Sequence, residues 1–428
     1  MARFFTLGIL VGLSCVASLS PSAFAQPPAA SYPGPAPEAA GYNPYAAPAL
    51  GGYGEYCPPG MPPAGVYAET PEETVWFSRV DPLRKRYRSF DGWFIRTEYL
   101  NWDYDRPGDV LLGSRVLSVR NPRRPFPVYD DQIPPTDLGD AFVPFLDEMR
   151  LDDASGVRGT IGIPLTFGSF EASVFGFGKK EETVGFFDTE IWDPILNEVR
   201  PLFTGTSTLE NGLVSNNIFL YNDGFEATFT SQFYGAEANV FVDGSQTNYF
   251  FFKPFVGFRY FNLEENLFQT GRFVPDPDLM QPTVTSEIDS RSKNRIYAPQ
   301  IGLRMQFESR WVSFAFDPKF ALGANDYFNR VRTNDLRGLG DPEVVTTDGA
   351  TQITPVIDLG FTGKLHVTQH LSLTAGYNFL WLGGITRPQN NIYYNDNGPL
   401  PTPPGVVVET KKGDMKFQGI SVGAELNF

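Results

Sequence analysis

Histidine, cysteine and charged residues are scarce in this sequence of 428 residues. Only two histidines and two cysteines occur, and Asp, Glu, Lys and Arg together make up 19%. The sequence contains no HExxH, no Gly-x-Ser-x-Gly, no Walker loop and no paired CxxC, the spacings that place metal ligands, nucleophiles and phosphate cradles. We therefore expect no enzyme activity, no cofactor and no metal site.

The charges that are present have an acidic excess, which excludes one class of partner. The formal net charge is −15 at pH 7, so nucleic acid is not expected to bind, because its phosphates require basic patches. One basic run, Arg84-Lys85-Arg86-Tyr87-Arg88, is either a solvated segment or a contact for anionic phosphate groups at a membrane surface. The carboxylates over 130–153 lack the spacing of an EF-hand, and a solvated loop is the simpler interpretation of them.

Long hydrophobic runs are also missing, except near the N-terminus. Arg3, a mostly apolar stretch over residues 4–16, and Ala23-Phe24-Ala25 have the pattern of a secretory signal peptide that ends at residue 25. Cys15 would leave with it, and Cys57 alone can form no intramolecular disulfide. No other apolar segment is long enough for a transmembrane helix.

Residues 26–90 are rich in Pro, Gly and Tyr, as in Ser31-Tyr32-Pro33-Gly34-Pro35. Proline removes backbone donors, and few β-branched apolar residues are available to build a core. We expect this segment to be a disordered linker between the signal peptide and a folded domain over 91–428.

From residue 91 onward the sequence alternates apolar and polar residues. Over 417–428, for example, Ile420 and Val422 alternate with Ser421 and Gly423, which gives a strand one apolar and one polar face. The pattern predicts ten strands, with twelve as the alternative: 93–104, 156–164, 170–178, 225–242, 249–264, 290–308, 311–323, 353–367, 371–382 and 415–428.

The predicted connections alternate strictly between long and short. Long loops are expected over 105–155, 179–224, 265–289, 324–352 and 383–414, with short turns between the other pairs of strands. This order is typical of an up-and-down antiparallel transmembrane β-barrel, in which all long loops lie at one rim. A soluble β-sandwich has the same period with its faces inverted. Aromatic residues near strand ends, such as Trp93, Tyr99, Trp102, Tyr104 and Trp381, favour the membrane barrel because aromatic girdles mark membrane interfaces.

Three short stretches carry a family resemblance. Trp93-Phe94-Ile95-Arg96-Thr97-Glu98-Tyr99-Leu100, Ser231-Gln232-Phe233-Tyr234-Gly235-Ala236-Glu237 and Ala424-Glu425-Leu426-Asn427-Phe428 resemble segments of bacterial outer-membrane β-barrel proteins. The likeness is strongest to the porin-like barrels of planctomycete bacteria and covers about residues 90–428. It implies an outer-membrane location, contact with outer-membrane lipid, and Phe428 as the signal read by the barrel-assembly machinery.

The polar faces of the predicted strands are expected to line the lumen. Their charged members nearly balance in sign: Arg96, Glu98, Arg158, Glu171, Glu226, Glu237, Arg259, Arg304, Asp317, Lys319, Asp358, Lys364 and Glu425. The interior of a ten-stranded barrel is narrow, so these groups either line a small passage or pair into a plug.

Two functions fit this sequence. The first is a porin-like outer-membrane barrel that passes small polar solutes or ions. The alternative is a structural or surface-interaction barrel with a closed lumen, whose extracellular loops bind partners such as other barrels or cell-wall components.

Overall fold

The computed structural model describes residues 92–130, 133–194, 196–245, 249–274, 282–399 and 401–428. The expected signal peptide, the expected linker, both cysteines and the basic run over 84–88 lie outside these residues. In the described part, no helix has the length and apolarity required to cross a membrane.

Ten antiparallel strands form a closed ring. They are β1 (Phe94–Tyr104), β2 (Ala154–Leu165), β3 (Gly168–Phe177), β4 (Phe225–Val242), β5 (Phe250–Phe273), β6 (Val284–Glu308), β7 (Val312–Asn334), β8 (Val344–His366), β9 (Leu371–Thr386) and β10 (Lys412–Asn427). Each strand pairs with its neighbours in sequence. β1 pairs with β10 from Phe94↔Asn427 to Tyr104↔Phe417, which closes the ring. The predicted all-β, up-and-down architecture is confirmed.

β3 continues after a short break as Lys180–Phe186, which pairs with the first half of β4. At one rim, the short-turn end, the connections are 166–167, 243–249, 309–311 and 367–370. The other rim, the long-loop end, carries the connections that follow β1, β3, β5, β7 and β9. The predicted alternation of connections is therefore observed.

Two of the predicted long loops are wrong in extent. Most of 265–289 and 324–352 is strand, so only 274–283 and 335–343 connect β5 to β6 and β7 to β8. The extensions carry polar residues on both faces, as at Ser286 and Glu287 on β6 and at Asn325 and Asp326 on β7. Without an apolar face these segments lack the period-two signal that identifies a half-buried strand.

The two longest loops contain short strands of their own. A small sheet is formed by Phe126–Tyr129, Asp137–Phe142, Glu190–Asp193, Glu198–Ser207 and Ile218–Tyr221. Further two-residue strands are Leu209–Glu210, Ile392–Tyr393, Asn395–Asp396 and Val407–Val408, and a 3-10 helix covers Pro388–Asn390. Part of these loops therefore folds as a cap on the long-loop end.

The outer face of the ring is an apolar band. On β6, the outward positions from Phe307 back to Pro299 are apolar, followed by Tyr297. The Tyr297 ring lies 5.1 Å from that of Tyr260 on β5, which lies 6.5 Å from that of Tyr234 on β4. From Tyr297 to Phe307 is about 33 Å along the strand, or about 25 Å in height at a tilt of about 40°. This matches the band that crosses a membrane, and the tyrosine row marks one of its edges.

The aromatic girdle expected on β1 is only partly correct. Trp93 and Tyr99 face outward and are about half exposed, but Trp102 and Tyr104 are buried inside the ring. Aromatic residues therefore do not identify the lipid face by themselves, because this barrel also fills its interior with them.

The apolar band yields a stability prediction. Val422 is 54% exposed on the outer face of β10, near the middle of the apolar positions of that strand. Val422→Arg should lower the free energy of unfolding by about 2–4 kcal/mol, because a charge at the midplane loses its hydration. Lys416→Arg, above the band on the same strand, is the control and should have no measurable effect. Urea unfolding in lipid vesicles measures both, and equal effects would contradict the position assigned to the band.

Candidate functional site

Most of the predicted lumen residues meet inside the ring as one charged layer, close to the short-turn end. Six are cations and six are anions: Arg96, Arg158, Arg259, Arg304, Lys319 and Lys364 with Glu98, Glu171, Glu237, Asp317, Asp358 and Glu425. Several contacts join strands that are not neighbours in the sheet. Side chains of such strands can meet only across the interior, so the charged face is the inner face.

Arg304 on β6 joins opposite walls of the ring. Its guanidinium donates to both carboxylate oxygens of Glu171 on β3, at 2.6 and 3.1 Å. It also donates to both carboxylate oxygens of Asp317 on β7, with its Nε 3.0 Å from Oδ1 and its Nη2 2.9 Å from Oδ2. These paired, charge-assisted bonds fix the guanidinium in position across the lumen.

The centre of the layer is a second cross-lumen cluster. Arg259 on β5 donates to Glu237 on β4 at 2.5 Å and to Asp358 on β8 at 2.6 Å. Lys319 on β7 contacts the same two carboxylates at 3.0 and 3.3 Å. Two cations thus share two anions, which offsets the desolvation of all four charges.

A third group completes the layer on the side where the ring closes. Arg158 on β2 donates to Glu98 on β1 at 2.7 Å and to Asn378 on β9 at 3.2 Å. Lys364 on β8 donates to both oxygens of Glu425 on β10, at 2.8 and 2.7 Å. The charges pair with one another and leave the layer with no net charge.

Glu226 does not belong to this layer, so its predicted position is wrong. It is exposed on the outer face of β4, whereas Phe225 and Ala227 on either side of it are buried. Glu226 has an even and Glu237 an odd residue number, and successive side chains of a strand point to opposite faces. An uninterrupted strand therefore cannot direct both carboxylates inward. The phenylalanines of this half of β4 face the interior, which inverts the predicted assignment of its two faces.

An aromatic layer fills the interior next to the charged layer, on the side of the long loops. Phe233 on β4 stacks on Phe417 on β10, with ring centroids 4.4 Å apart. Tyr104 on β1 packs edge-on against Phe417 at 5.0 Å and against Phe177 on β3 at 5.6 Å. Because β4 and β10 are on opposite walls, these rings close the lumen at this level.

Above the aromatic layer, loop residues occupy the interior. Leu112, Leu146 and Met149 of the first long loop belong to the same buried cluster as the aromatic layer, together with Ile392 and Val406 of the last loop. The loops therefore pack as a hydrophobic core inside the barrel.

Below the charged layer, the interior opens into a cavity of about 330 Å³ at the short-turn end. Arg96, Arg304, Lys364 and Glu425 form part of its wall, together with the ring of Phe94. The Lys364 ammonium lies 5.6 Å from the centroid of this ring. The cavity is large enough for a small polar solute.

The acidic first loop and the terminal Phe428 have structural contacts of their own. Asp137, Asp140 and Asp193 surround Arg200, at 2.6, 3.6 and 3.9 Å. Among the described residues no group of three or more His, Cys, Asp or Glu is arranged to hold a metal ion. Phe428 is 57% exposed on the outer face and stacks on Trp93, with centroids 4.1 Å apart.

The sequence reasoning missed the polar inner wall of β6 and its partners. Ser290, Ser292 and Asn294 are buried and bond to the last loop. Glu265 on β5 and Arg387, which begins that loop, form a buried ion pair. Ser290, Ser292 and Asn294 lie in the predicted strand 290–308, and their even-numbered positions, shared with the inward Arg304, were the available signal. Glu265 and Arg387 stood in predicted loops, so no strand pattern pointed to them.

The cross-lumen pairs yield a second prediction. Arg304→Gln leaves Glu171 and Asp317 without their shared cation and should lower the free energy of unfolding by about 3–5 kcal/mol. Arg295→Gln is the matched control, because Arg295 is exposed on the outer face of β6 and lies 4.0 Å from Asp326; its loss should cost less than about 1 kcal/mol. Urea unfolding of the barrel measures both. Equal costs would show that the layer contributes nothing beyond a surface pair.

The model of the family described as "Putative beta barrel porin-7 (BBP7)" matches residues 145–428 of this chain. No curated protein matches the chain. Among solved structures, the outer membrane protease OmpT from Escherichia coli is 10% identical, with 79% of this chain and 98% of that chain covered and a TM-score of 0.41. A Pseudomonas aeruginosa FadL homologue is 9% identical, with coverages of 79% and 91% and a TM-score of 0.23.

These structural likenesses are too distant to support any argument about activity. The family match is different in kind, because it covers more than half of the sequence and includes nine of the ten barrel strands. The chain belongs to the BBP7 family of β-barrel porins.

Proposed function

We propose that this protein is a porin-like barrel of the outer membrane that passes small polar solutes or ions through its interior. The observation that carries the proposal is the charged layer: twelve ionised side chains line the inside of a ring whose outside is apolar. A stable core could have been built from apolar residues at lower desolvation cost. Charges of both signs provide polar partners for a solute that has left bulk water.

The location and export of the protein are part of the proposal. Residues 1–25 direct export and are removed, residues 26–90 form a linker, and the long loops lie outside the cell. The short turns and the two ends of the barrel, at the start of β1 and the end of β10, then lie in the periplasm. Phe428, at the outer edge of β10, is the residue that the barrel-assembly machinery reads.

Selectivity should arise at the charged layer and not at the loops alone. The layer has no net charge, so it favours neither cations nor anions strongly. It suits neutral polar or zwitterionic solutes, and weakly selective passage of ions.

A second candidate function is favoured by one observation. The aromatic layer and the loop residues above it close the interior in the described part of the chain. A barrel that stays closed would act through its loops, as a structural or partner-binding protein of the cell surface.

Conductance of planar lipid bilayers distinguishes the two candidates. Purified protein whose insertion has been verified should give discrete current steps that scale with salt concentration, with little preference between cations and anions. A silent bilayer at all voltages would exclude the transport function and leave the closed barrel.

The aromatic layer gives a further prediction for the same measurement. Phe233→Ala removes the ring that stacks on Phe417 and should increase the single-channel conductance or the open fraction, because the lumen widens at its narrowest hydrophobic level. Phe258→Ala is the control, since Phe258 is half exposed on the outer face of β5. If Phe233→Ala leaves the conductance unchanged while the protein stays folded, the aromatic layer is not the constriction.

A further inference from the structure

The last loop enters the barrel instead of passing over its rim. Most side chains over 385–396, called here the inner segment, are buried. Loops usually lie on protein surfaces, because buried backbone groups lose their hydrogen bonds to water. A buried loop must therefore find its partners inside the protein.

The wall of β6 supplies these partners. Ser290 donates to the carbonyl of Pro388 at 2.8 Å, and Asn294 donates to the carbonyl of Thr386 at 2.8 Å. The side chain of Asn391 donates to Ser292, also at 2.8 Å. The wall is thus built to hold this segment.

Arg387 is the strongest of the attachments. Its guanidinium donates to both oxygens of Glu265 on β5, each at 3.0 Å. The same guanidinium donates to the carbonyls of Asp105 and Arg106, at 3.1 and 3.0 Å. Arg387 is 4% exposed and Glu265 is 1% exposed. One side chain therefore joins the end of β9, the opposite wall of the ring and the start of the first loop.

The junction between β9 and the inner segment has the features of a hinge. The pairing of β9 with β10 shifts register between Leu382 and Ile385. Gly384, within the shift, has a φ of +65°, a conformation that favours glycine. The strand ladder is therefore interrupted at residues 383–384, and only two further pairs, Ile385↔Gly413 and Thr386↔Lys412, precede Arg387.

The far side of the loop has a second attachment. Arg337, in the connection between β7 and β8, pairs with Asp396 at 3.3 Å and donates to the carbonyls of Gly398 and Thr402. Its hydrogen bonds to Asp341 raise the pKa of Arg337 above its ordinary value, so it stays charged. The loop thus has a hinge and two charged anchors, Arg387 and Arg337, beside the neutral hydrogen bonds from the inner wall such as the 2.8 Å bond from Gln269 on β5 to the Tyr394 hydroxyl.

We propose that Arg387 and Glu265 are a latch that positions the inner segment as the gate of the barrel. While the pair is intact, the segment lies against β6 and blocks the passage above the aromatic layer. When the pair is broken, the segment turns about Gly384 toward the outside and the lumen opens above the aromatic layer. The gating role rests on the proposed transport function; the latch itself does not.

Labelling of the covered wall tests the latch directly. In a chain with Cys15 and Cys57 replaced by serine, Ser290→Cys places a thiol beneath Pro388, where it should react slowly with a membrane-impermeant maleimide. Adding Arg387→Gln should speed the reaction at least about tenfold, because loss of one partner of a buried pair favours local opening. Arg387→Lys keeps the charge but loses the forked bonds, so it should give an intermediate rate.

Two comparisons make the result decisive. Arg295→Gln, which breaks an exposed pair on the outer face, should leave the labelling rate unchanged. A heat-modifiable band on gels must show that each variant is folded; if Arg387→Gln fails this test, Arg387→Lys decides. Equal labelling rates with and without the latch, or equal acceleration by Arg295→Gln, would overturn the proposal.

Conductance then separates the latch from the transport function. If the passage is gated by this segment, Arg387→Gln should open more often than the unmodified protein in planar bilayers. Faster labelling with a silent bilayer would establish the latch and refute transport. Unchanged labelling in a conducting barrel would refute the latch and leave transport standing.

Discussion

The structure depends on how charges are accommodated inside a narrow ring. Ten strands enclose an interior in which inward side chains from opposite walls touch. A charge placed there cannot keep its water, so it must find a partner across the lumen. Arg304 and Arg259 do so with Glu171 and Asp358, on strands that are not neighbours, whereas Arg158 pairs with Glu98 on the adjacent strand. The first two contacts link opposite walls of the ring directly. The sheet by itself connects those walls only through the hydrogen bonds between neighbouring strands.

The same constraint explains why the interior is layered. Charges cluster where they can neutralise one another, and aromatic rings fill the next level, where Arg387 and Glu265 form a further buried ion pair. The loop residues then complete a hydrophobic core around Leu146 and Ile392. Such a barrel has the interior of a soluble protein at its long-loop end and a charged, partly open interior at its short-turn end. Passage through it requires movement of the loops, which is why the position of Arg387 matters.

The two proposed functions require different properties of the barrel interior. A closed surface barrel needs only the stability that the ion pairs across the lumen and the aromatic core supply. A porin-like barrel also needs a route, and the structure offers the 330 Å³ cavity, a charged layer without net charge and a loop whose start is fixed by a buried ion pair. Membership of the BBP7 family is consistent with this second use of the same framework.

The sequence alone determined the class of fold and much of its geometry. Alternation as clear as that of Ile420–Ser421–Val422 decides that a segment is a strand and which side chains share a face, because the side-chain period of a strand is two. The long and short connections then decide the order of the strands. On β2, β6, β8, β9 and β10 the polar face that the alternation indicates is the one that lies inside the ring.

Only the tertiary structure decided which face is inward where both faces are similar. Phe229 and Phe233 are apolar and yet face the interior, because Phe417 on the opposite wall stacks on Phe233 and the Arg387 guanidinium lies over the ring of Phe229. The extensions of β5 to β8 could not be recognised as strands from the sequence, because both of their faces are largely polar. The Arg387–Glu265 pair joins residues 122 positions apart in sequence. No local pattern encodes such a contact, since it exists only when the ring closes and brings opposite walls together.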